Sequence, residues 1–529
     1  KKDSLSLQLV RSKLARGSYY VFRELYVDVS LAAQNKSKLK FTDNFDADIN
    51  LNVNYSQDNI FSVSSSYLEV IPIFEPYNAD GSYRLANYYS TSDTEYKEVK
   101  KNFVYNEVPE MHENDNHQNT LTANGSITLS WRPVKGLVLT SQSGANFIDI
   151  YDAQYTSMKT RSGISDSGKN GSSRRSGVFD TVLNQIFRAN YNRTFKNKFA
   201  VSAMAGTELT DKIHTNLYPS GYGFLNDSIK EIAYADATTL KGYSNWSETR
   251  SLSYFAFGEF TYDNRYSVTA SWRRQGNSAF STYSRWDNFW SVGGIWNVHR
   301  EKFFDVPWIN HLSFKGSYGC NGNSRIDTSS SYGSYAISTG NYYGGSTGAN
   351  QSSPANPGLS WEKTWITNVG AILGLFNRVN LTVEYYNRLT TDVLYEGRVS
   401  SVITDGGVMR NVGEIENHGL EFTIDADIIK GGDFSWDLTL NGYRNHNIIK
   451  KLYKGMHTGF FDYIWVEGAS KDALWLVRWA GVDPVTGAPM WYDKNGDLTY
   501  SFNYDDRVLL PQYSKEAVVQ GGLTNVFRY

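Results

Sequence analysis

Asp46-Ala47-Asp48-Ile49-Asn50-Leu51-Asn52-Val53-Asn54-Tyr55 sets an acid or an amide against an apolar side chain at every step. Successive side chains of a strand point to opposite faces. Ala47, Ile49, Leu51, Val53 and Tyr55 therefore share one face, and Asp46, Asp48, Asn50, Asn52 and Asn54 the other. One face suits lipid and the other suits water. The rhythm recurs along the chain: roughly ten alternating residues, a turn, an alternating return, then a long polar stretch, which is the pattern of a transmembrane antiparallel β-barrel.

The paired runs read as hairpins. They are Arg23–Ala32 with Phe45–Tyr55, Leu121–Trp131 with Leu137–Ile148, Asp180–Tyr191 with Lys198–Leu209, and Ser251–Tyr262 with Asn264–Arg274 around a reversal at Asp263. Asn288–Val298 precedes His311–Cys320, and Trp361–Leu375 precedes Val379–Arg388. His418–Ile428 returns as Phe434–Asn445 after Lys430-Gly431-Gly432-Asp433. The stretches 56–120, 149–179, 210–250, 321–360, 389–417 and 446–473 are expected as long loops at one end of the barrel. Short turns close the other end. Roughly fourteen to seventeen strands suit a wide barrel with an aqueous or plugged lumen. A new strand begins near Leu523, so further strands are expected after Tyr529.

Composition agrees. With 529 residues, 15% aromatic, 38 Tyr, 14 Trp, 44 Gly and net charge −2, the chain is too polar for a helical membrane protein and too aromatic for disorder. Near-neutral charge with scattered Lys and Arg gives no footprint for nucleic acid. The longest uncharged apolar run, Val369–Phe376, falls short of the ~18 residues of a spanning helix. Hydrocarbon offers no hydrogen-bond partner, so strands cross it as a closed cylinder. Aromatic residues at strand ends, such as Tyr55, Trp131, Tyr191, Tyr262 and Trp361, are expected at the two interfaces. Trp436 belongs to the apolar face with Phe434, Leu438 and Leu440, and Cys320, the single cysteine, reads as a small apolar side chain.

Several segments resemble the SusC/RagA family of TonB-dependent outer-membrane transporters of Bacteroidetes. The strongest is Asn411-Val412-Gly413-Glu414-Ile415-Glu416-Asn417-His418-Gly419-Leu420-Glu421 followed by Asp433-Phe434-Ser435-Trp436. Asp263-Asn264-Arg265-Tyr266, Glu301-Lys302-Phe303-Phe304, Ser317 to Asn323, Asn356-Pro357-Gly358-Leu359-Ser360-Trp361-Glu362 and Trp479 to Pro484 continue the series in family order. The resemblance implies a barrel of about 22 strands when complete, of which this chain covers part. It also implies a signal peptide, N-terminal extension, TonB-binding box and plug upstream of Lys1.

As implied partners come a SusD-like surface lipoprotein, TonB with ExbB and ExbD, outer-membrane lipid, an oligosaccharide or peptide ligand, and a dimer of transporter–lipoprotein pairs. No bond-making chemistry and no cofactor are expected. A passive porin and a structural or adhesin-type surface barrel are the alternatives.

Other chemistry reads poorly. His112 and His117 are five apart and do not share a helical face. Asp493-Lys494-Asn495-Gly496-Asp497 lacks the glycine and the bidentate Glu of a calcium loop and reads as a turn. Asp46 with Asp48, and Asp425 with Asp427, lie at period two and read as water-facing lumen residues, while Arg174-Arg175 reads as a mobile solvated loop. Gly413 and Gly419 are expected to serve backbone geometry. Aromatic clusters in the loops, Tyr342-Tyr343 and Phe460-Phe461 with Trp465, are the candidate ligand contacts, because flat rings stack on sugars and peptide backbones.

Overall fold

The computed structural model describes residues 5–12, 28–60, 75–84, 86–91, 100–106, 108–168, 170–343, 346–398, 407–453, 458–459 and 462–529. Two compact units are present. One comprises Lys1–Trp131, Thr140–Ile186 and Leu209–Thr249, and the other Arg132–Leu139, Phe187–Glu208 and Arg250–Tyr529. Among the described residues, seventeen strands belong to one sheet, the number at the top of the range read from alternation.

The first unit carries β1 (Leu5–Ser12), β2 (Asp28–Thr42), β3 (Phe45–Asn59) and β4 (Asp115–Trp131), each antiparallel to the next. Leu31 faces Tyr55, which faces Leu121, and Ile49 faces Ile127. Leu31, Leu39, Leu51, Tyr55, Ile127, Leu129 and Trp131 are all exposed. That row of bare apolar side chains is the lipid face expected from the alternation. On the other face Lys38 lies 3.5 Å from Asp46 and 3.9 Å from Asp48, so these carboxylates meet a lysine across the strand.

β5 (Leu137–Thr156), β6 (Ser172–Phe195), β7 (Phe199–Leu217) and β8 (Ser244–Tyr262) have residues in both units. The second unit continues with β9 (Tyr266–Asn277), β10 (Trp286–Asn297), β11 (Ile309–Asn323), β12 (Glu362–Leu375) and β13 (Val379–Thr391). β14 (Glu414–Ile429), β15 (Ser435–Lys451) and β16 (Val519–Arg528) complete it. From β8 to β16 each strand pairs antiparallel with the next. The strand expected near Leu523 thus starts at Val519 and pairs with Ser435–Arg444.

Several bounds differ from those read in the sequence. The first hairpin turns at Asp43-Asn44, because Lys36, Lys38 and Lys40 alternate with Leu39 and Phe41 as strand residues and not as a polar connection. The loops expected at 149–179, 210–250 and 446–473 contain the ends of β5, β6, β7, β8 and β15, and those at 56–120, 321–360 and 389–417 lose residues to β3, β4, β11, β13 and β14. β6 runs for 24 residues. Only ~9 to 11 are needed to cross hydrocarbon, so the excess projects beyond the bilayer, where polar side chains hide it from a search for apolar alternation.

Tight turns close the other end. Asp263 and Asn264, and Phe376 and Asn377, take consecutive positive φ values between 51° and 54°, the geometry that matches the twist of a two-residue hairpin connection. Gly431 and Gly432 supply it before β15.

On the outer face of the second unit Trp308 stacks on Phe376, and Trp290, Tyr318 and Trp365 meet at the far end. From Trp365 to Phe376 the strand covers ~36 Å at ~3.3 Å per residue, or ~28 Å after a ~40° tilt, close to the ~25 Å apolar band of an outer-membrane barrel. Val369, between them, is 57% exposed. Trp436 stacks with Phe527, which stacks with Phe434. Trp361, by contrast, leaves the interface group: it is 2% exposed, buried against Phe280, Phe289, Cys320 and Leu359.

Candidate functional site

The long-loop end of the second unit is held by the same segments that carry the family motifs. Leu359 and Trp361 sit in an apolar cluster with Phe280 and Phe289, and the Trp361 indole N–H donates to the Arg285 carbonyl at 3.0 Å. Ser284 donates to the Leu359 carbonyl and Tyr332 to the Phe280 carbonyl. The 278–285 and 324–361 connections are thereby joined. Two further motifs meet across Asn411. Its side-chain oxygen accepts from the Ser360 amide at 2.7 Å, and its side-chain nitrogen donates to the Ser360 and Asp392 carbonyls at 2.8 and 3.1 Å. Asn356 donates to the Met409 carbonyl at 2.8 Å.

Between these segments lies a cavity of about 480 Å³ lined by Pro354, Ala355, Gly358, Val408, Arg410 and Val412, with the two asparagines. Arg410 donates to the Tyr453 hydroxyl at 2.7 Å and lies over its ring. Tyr395, the cross-strand neighbour of Arg410, packs 5.5 Å from the Trp465 ring.

Two motif glycines act through geometry. Gly413 has a φ of +102° where the chain enters β14, and a Cβ on Gly419 would stand 2.2 Å from the Arg444 carbonyl. At the short-turn end Glu301, mostly buried, accepts from the Tyr266 hydroxyl, from the Trp296 indole at 3.1 Å and from Arg265. Hydrogen bonds from these groups hold its carboxyl below the ordinary carboxylate range, the Tyr266 hydroxyl contributing most. The motifs Asp263–Tyr266 and Glu301–Phe304 are thus parts of one knot, although 35 residues separate Tyr266 from Glu301.

The first unit has its own braced loops. Asp227 accepts from the Tyr155 hydroxyl and the Met158 amide, both at 2.9 Å; Lys230 pairs with Asp115 at 2.6 Å and Lys159 with Glu113 at 2.8 Å. Arg174 and Arg175 belong here and not to a mobile loop. Both lie in β6, where Arg174 stacks on Tyr218 and Arg175 pairs with Glu231. The Asp493 turn is as expected: its carboxylate accepts from the Asn495 and Asp497 amides, with Gly496 at φ +97°.

Of the candidate ligand contacts, Tyr342 and Tyr343 end a strand that pairs with Ser346–Ser353. Phe460 and Phe461 lie outside the described residues. Trp465 is brought beside Tyr395, the cross-strand neighbour of Arg410. Alternation could not single out Arg410, Tyr395 or Tyr453, since each occupies an ordinary polar-aromatic stretch; the one signal was their nearness in sequence to the Asn411 motif.

A family model described as "TonB dependent receptor-like, beta-barrel" matches residues 14–518. TonB-dependent receptor P39 of Formosa agariphila is 30% identical over 379 residues, which cover 70% of this chain and 36% of that protein. TonB-dependent receptor SusC of Bacteroides thetaiotaomicron is 32% identical over 242 residues, covering 44% of this chain and 23% of SusC. The RagAB peptide transporter structure superposes with a TM-score of 0.82 at 21% identity, over 96% of this chain and 57% of that one. The chain spans less than half the length of these curated relatives. With the lipid-facing ladder already described, the match places the chain in the outer membrane as a member of the TonB-dependent receptor-like β-barrel family.

Proposed function

We propose that this barrel belongs to an active importer of a nutrient oligomer, a glycan or an oligopeptide, energised through TonB with ExbB and ExbD and served by a SusD-like surface lipoprotein. The observation that carries the reading is a wide antiparallel ladder, apolar outside and ion-paired inside, whose described long-loop segments are tied together by side-chain hydrogen bonds. Lys38 with Asp46, Arg273 with Glu208 at 2.8 Å and Lys315 with Glu384 at 2.6 Å give the inner face a balanced polar lining, suited to a hydrated solute. The work of such a protein is selective passage, not bond chemistry.

Similarity to RagAB, which is a peptide importer, supports the oligopeptide alternative; the aromatic loop residues Tyr342, Tyr343, Phe460, Phe461 and Trp465 suit either ligand. A plug and an N-terminal extension complete the transporter, together with further barrel strands. The lipoprotein has a suitable seat in the 478–500 segment. Trp479, Val482, Val485, Leu498 and Tyr500 are all exposed there, an apolar surface of the kind that marks protein contacts. A dimer of transporter–lipoprotein pairs is the expected assembly.

The test is uptake of labelled oligopeptides and oligosaccharides by cells carrying or lacking the gene, each with and without TonB. Loss of uptake in both deletions is the expected result. Uptake that survives TonB removal, with ion conductance by the full-length protein in planar bilayers, would make it a passive porin instead.

A further inference from the structure

The cavity at the long-loop end carries an unbalanced charge. Arg410 is the charged residue of its lining, and among the described residues no carboxylate pairs with Arg410. Its partner is neutral, the Tyr453 hydroxyl, and the ring beneath it lies 5.1 Å away. The remaining N–H donors of the guanidinium fork are left for a planar acceptor, and a carboxylate satisfies them in pairs.

We propose that this cavity is a subsite for a carboxylate group borne by the transported solute, anchored by Arg410; the inference rests on the import reading above. The walls favour such a use. Pro354, Ala355, Gly358, Val408 and Val412 are small or apolar, so beside the two asparagines few lining side chains compete with a ligand carboxylate for the guanidinium. The space is also fixed in shape: Asn356 ties one wall to the Met409 carbonyl, and Asn411 ties it to Ser360 on both its amide and its carbonyl. Pre-set walls lower the ordering cost of binding. Beside the arginine, Tyr395 and Trp465 present neighbouring rings, a stacking surface for the sugar or backbone unit that carries the acid. A uronate residue of an acidic glycan and the C-terminal carboxylate of a peptide share this chemistry.

The experiment measures calorimetric binding to the full-length transporter in detergent. Trialanine is compared with trialanine amide, and trigalacturonate with its methyl ester. The acid of at least one pair is expected to bind at least ~10-fold tighter than its neutral counterpart, as for a charge-assisted contact. Arg410→Gln abolishes that preference, and Arg410→Lys retains it in part. Preference in the peptide pair alone identifies the source as a peptide terminus, and in the uronate pair alone as an acidic glycan.

Equal binding within both pairs, no binding in either, or preference that survives in Arg410→Gln overturns the proposal. Should Arg410→Gln fail to fold, a preference of the unaltered protein that does not weaken with added salt overturns it equally. TonB-dependent uptake indifferent to the carboxylate would sink the subsite and spare the import reading. Carboxylate-selective binding without TonB-dependent uptake would do the reverse.

Discussion

The side chain of Asn411 pairs with the backbone of Ser360 on both sides, accepting from its N–H at 2.7 Å and donating to its C=O at 2.8 Å. An amide side chain here does the work of a neighbouring strand. It closes the loop before β12 onto the strand before β14, and so fixes the cavity that Arg410 lines.

Asn411→Ala leaves the Ser360 N–H and C=O without these partners, at a cost of about 1–3 kcal/mol for each group that water does not reach. Residues 354–361 are expected to exchange amide hydrogen faster and to be cut sooner by protease, while the heat-induced unfolding of the barrel in detergent changes little. Unchanged exchange in that segment would show that Asn411 does not brace it.

Val369 and Asn368 point to opposite faces of β12: Val369 is exposed between the aromatic ends of the strand, and Asn368 donates to Ser317. Val369→Arg is expected to impair assembly by roughly 2–4 kcal/mol near mid-membrane depth. Asn368→Arg should be far better tolerated. Equal yields of the two variants in outer-membrane fractions would contradict the assigned facing.

The knot at Glu301 makes stability depend on acid. Its carboxyl is held below the ordinary range, so the ionised contacts contribute above the unfolded value of about 4.3, and that contribution is lost as pH falls through the lower folded value. Glu301→Gln should therefore lower the melting temperature at pH 7 and narrow its gap to the unaltered protein by pH 3. A gap that stays constant across this range would remove Glu301 from the acid response.

Gly419 and Gly397 offer a matched pair. A Cβ at Gly419 would meet the Arg444 carbonyl at 2.2 Å and the Tyr386 hydroxyl at 2.6 Å, whereas at Gly397 nothing lies within 4 Å. Gly419→Ala should cost at least ~1–3 kcal/mol by overpacking, read as lost heat-resistant barrel on electrophoresis, and Gly397→Ala should be neutral. Comparable behaviour of both variants would refute the close approach of β14 and β15.

Much of the fold was legible because a barrel strand meets two solvents at once. Where lipid lies on one side and water on the other, period-two alternation is forced on the sequence, and Trp361–Leu375 and Val379–Arg388 are placed within a few residues. Outside the bilayer both faces of a strand are wet and the alternation fades. That is why alternation starts β6 at Asp180 when the strand begins at Ser172 and runs through Arg174 and Arg175, and why the Lys36–Lys40 part of β2 reads as a connection.

The site was less legible. Trp361 begins an alternating run and so resembles an interface aromatic, yet it is buried by Phe280 from another connection and Phe289 from β10. Nothing local in either segment announces the other.

The sequence by itself determined that this chain is built of amphiphilic β-strands with one face for lipid and one for water, because the facing of each residue follows from its parity along the strand. Only the tertiary structure decided that the motifs around Ser360 and Asn411 form one brace, that Glu301 closes on Tyr266, and that Arg410 faces a cavity with no carboxylate among the described lining residues. Those relationships join residues far apart in the chain through side-chain hydrogen bonds, whose partners are set by strand register and loop path and leave no periodic mark in the sequence.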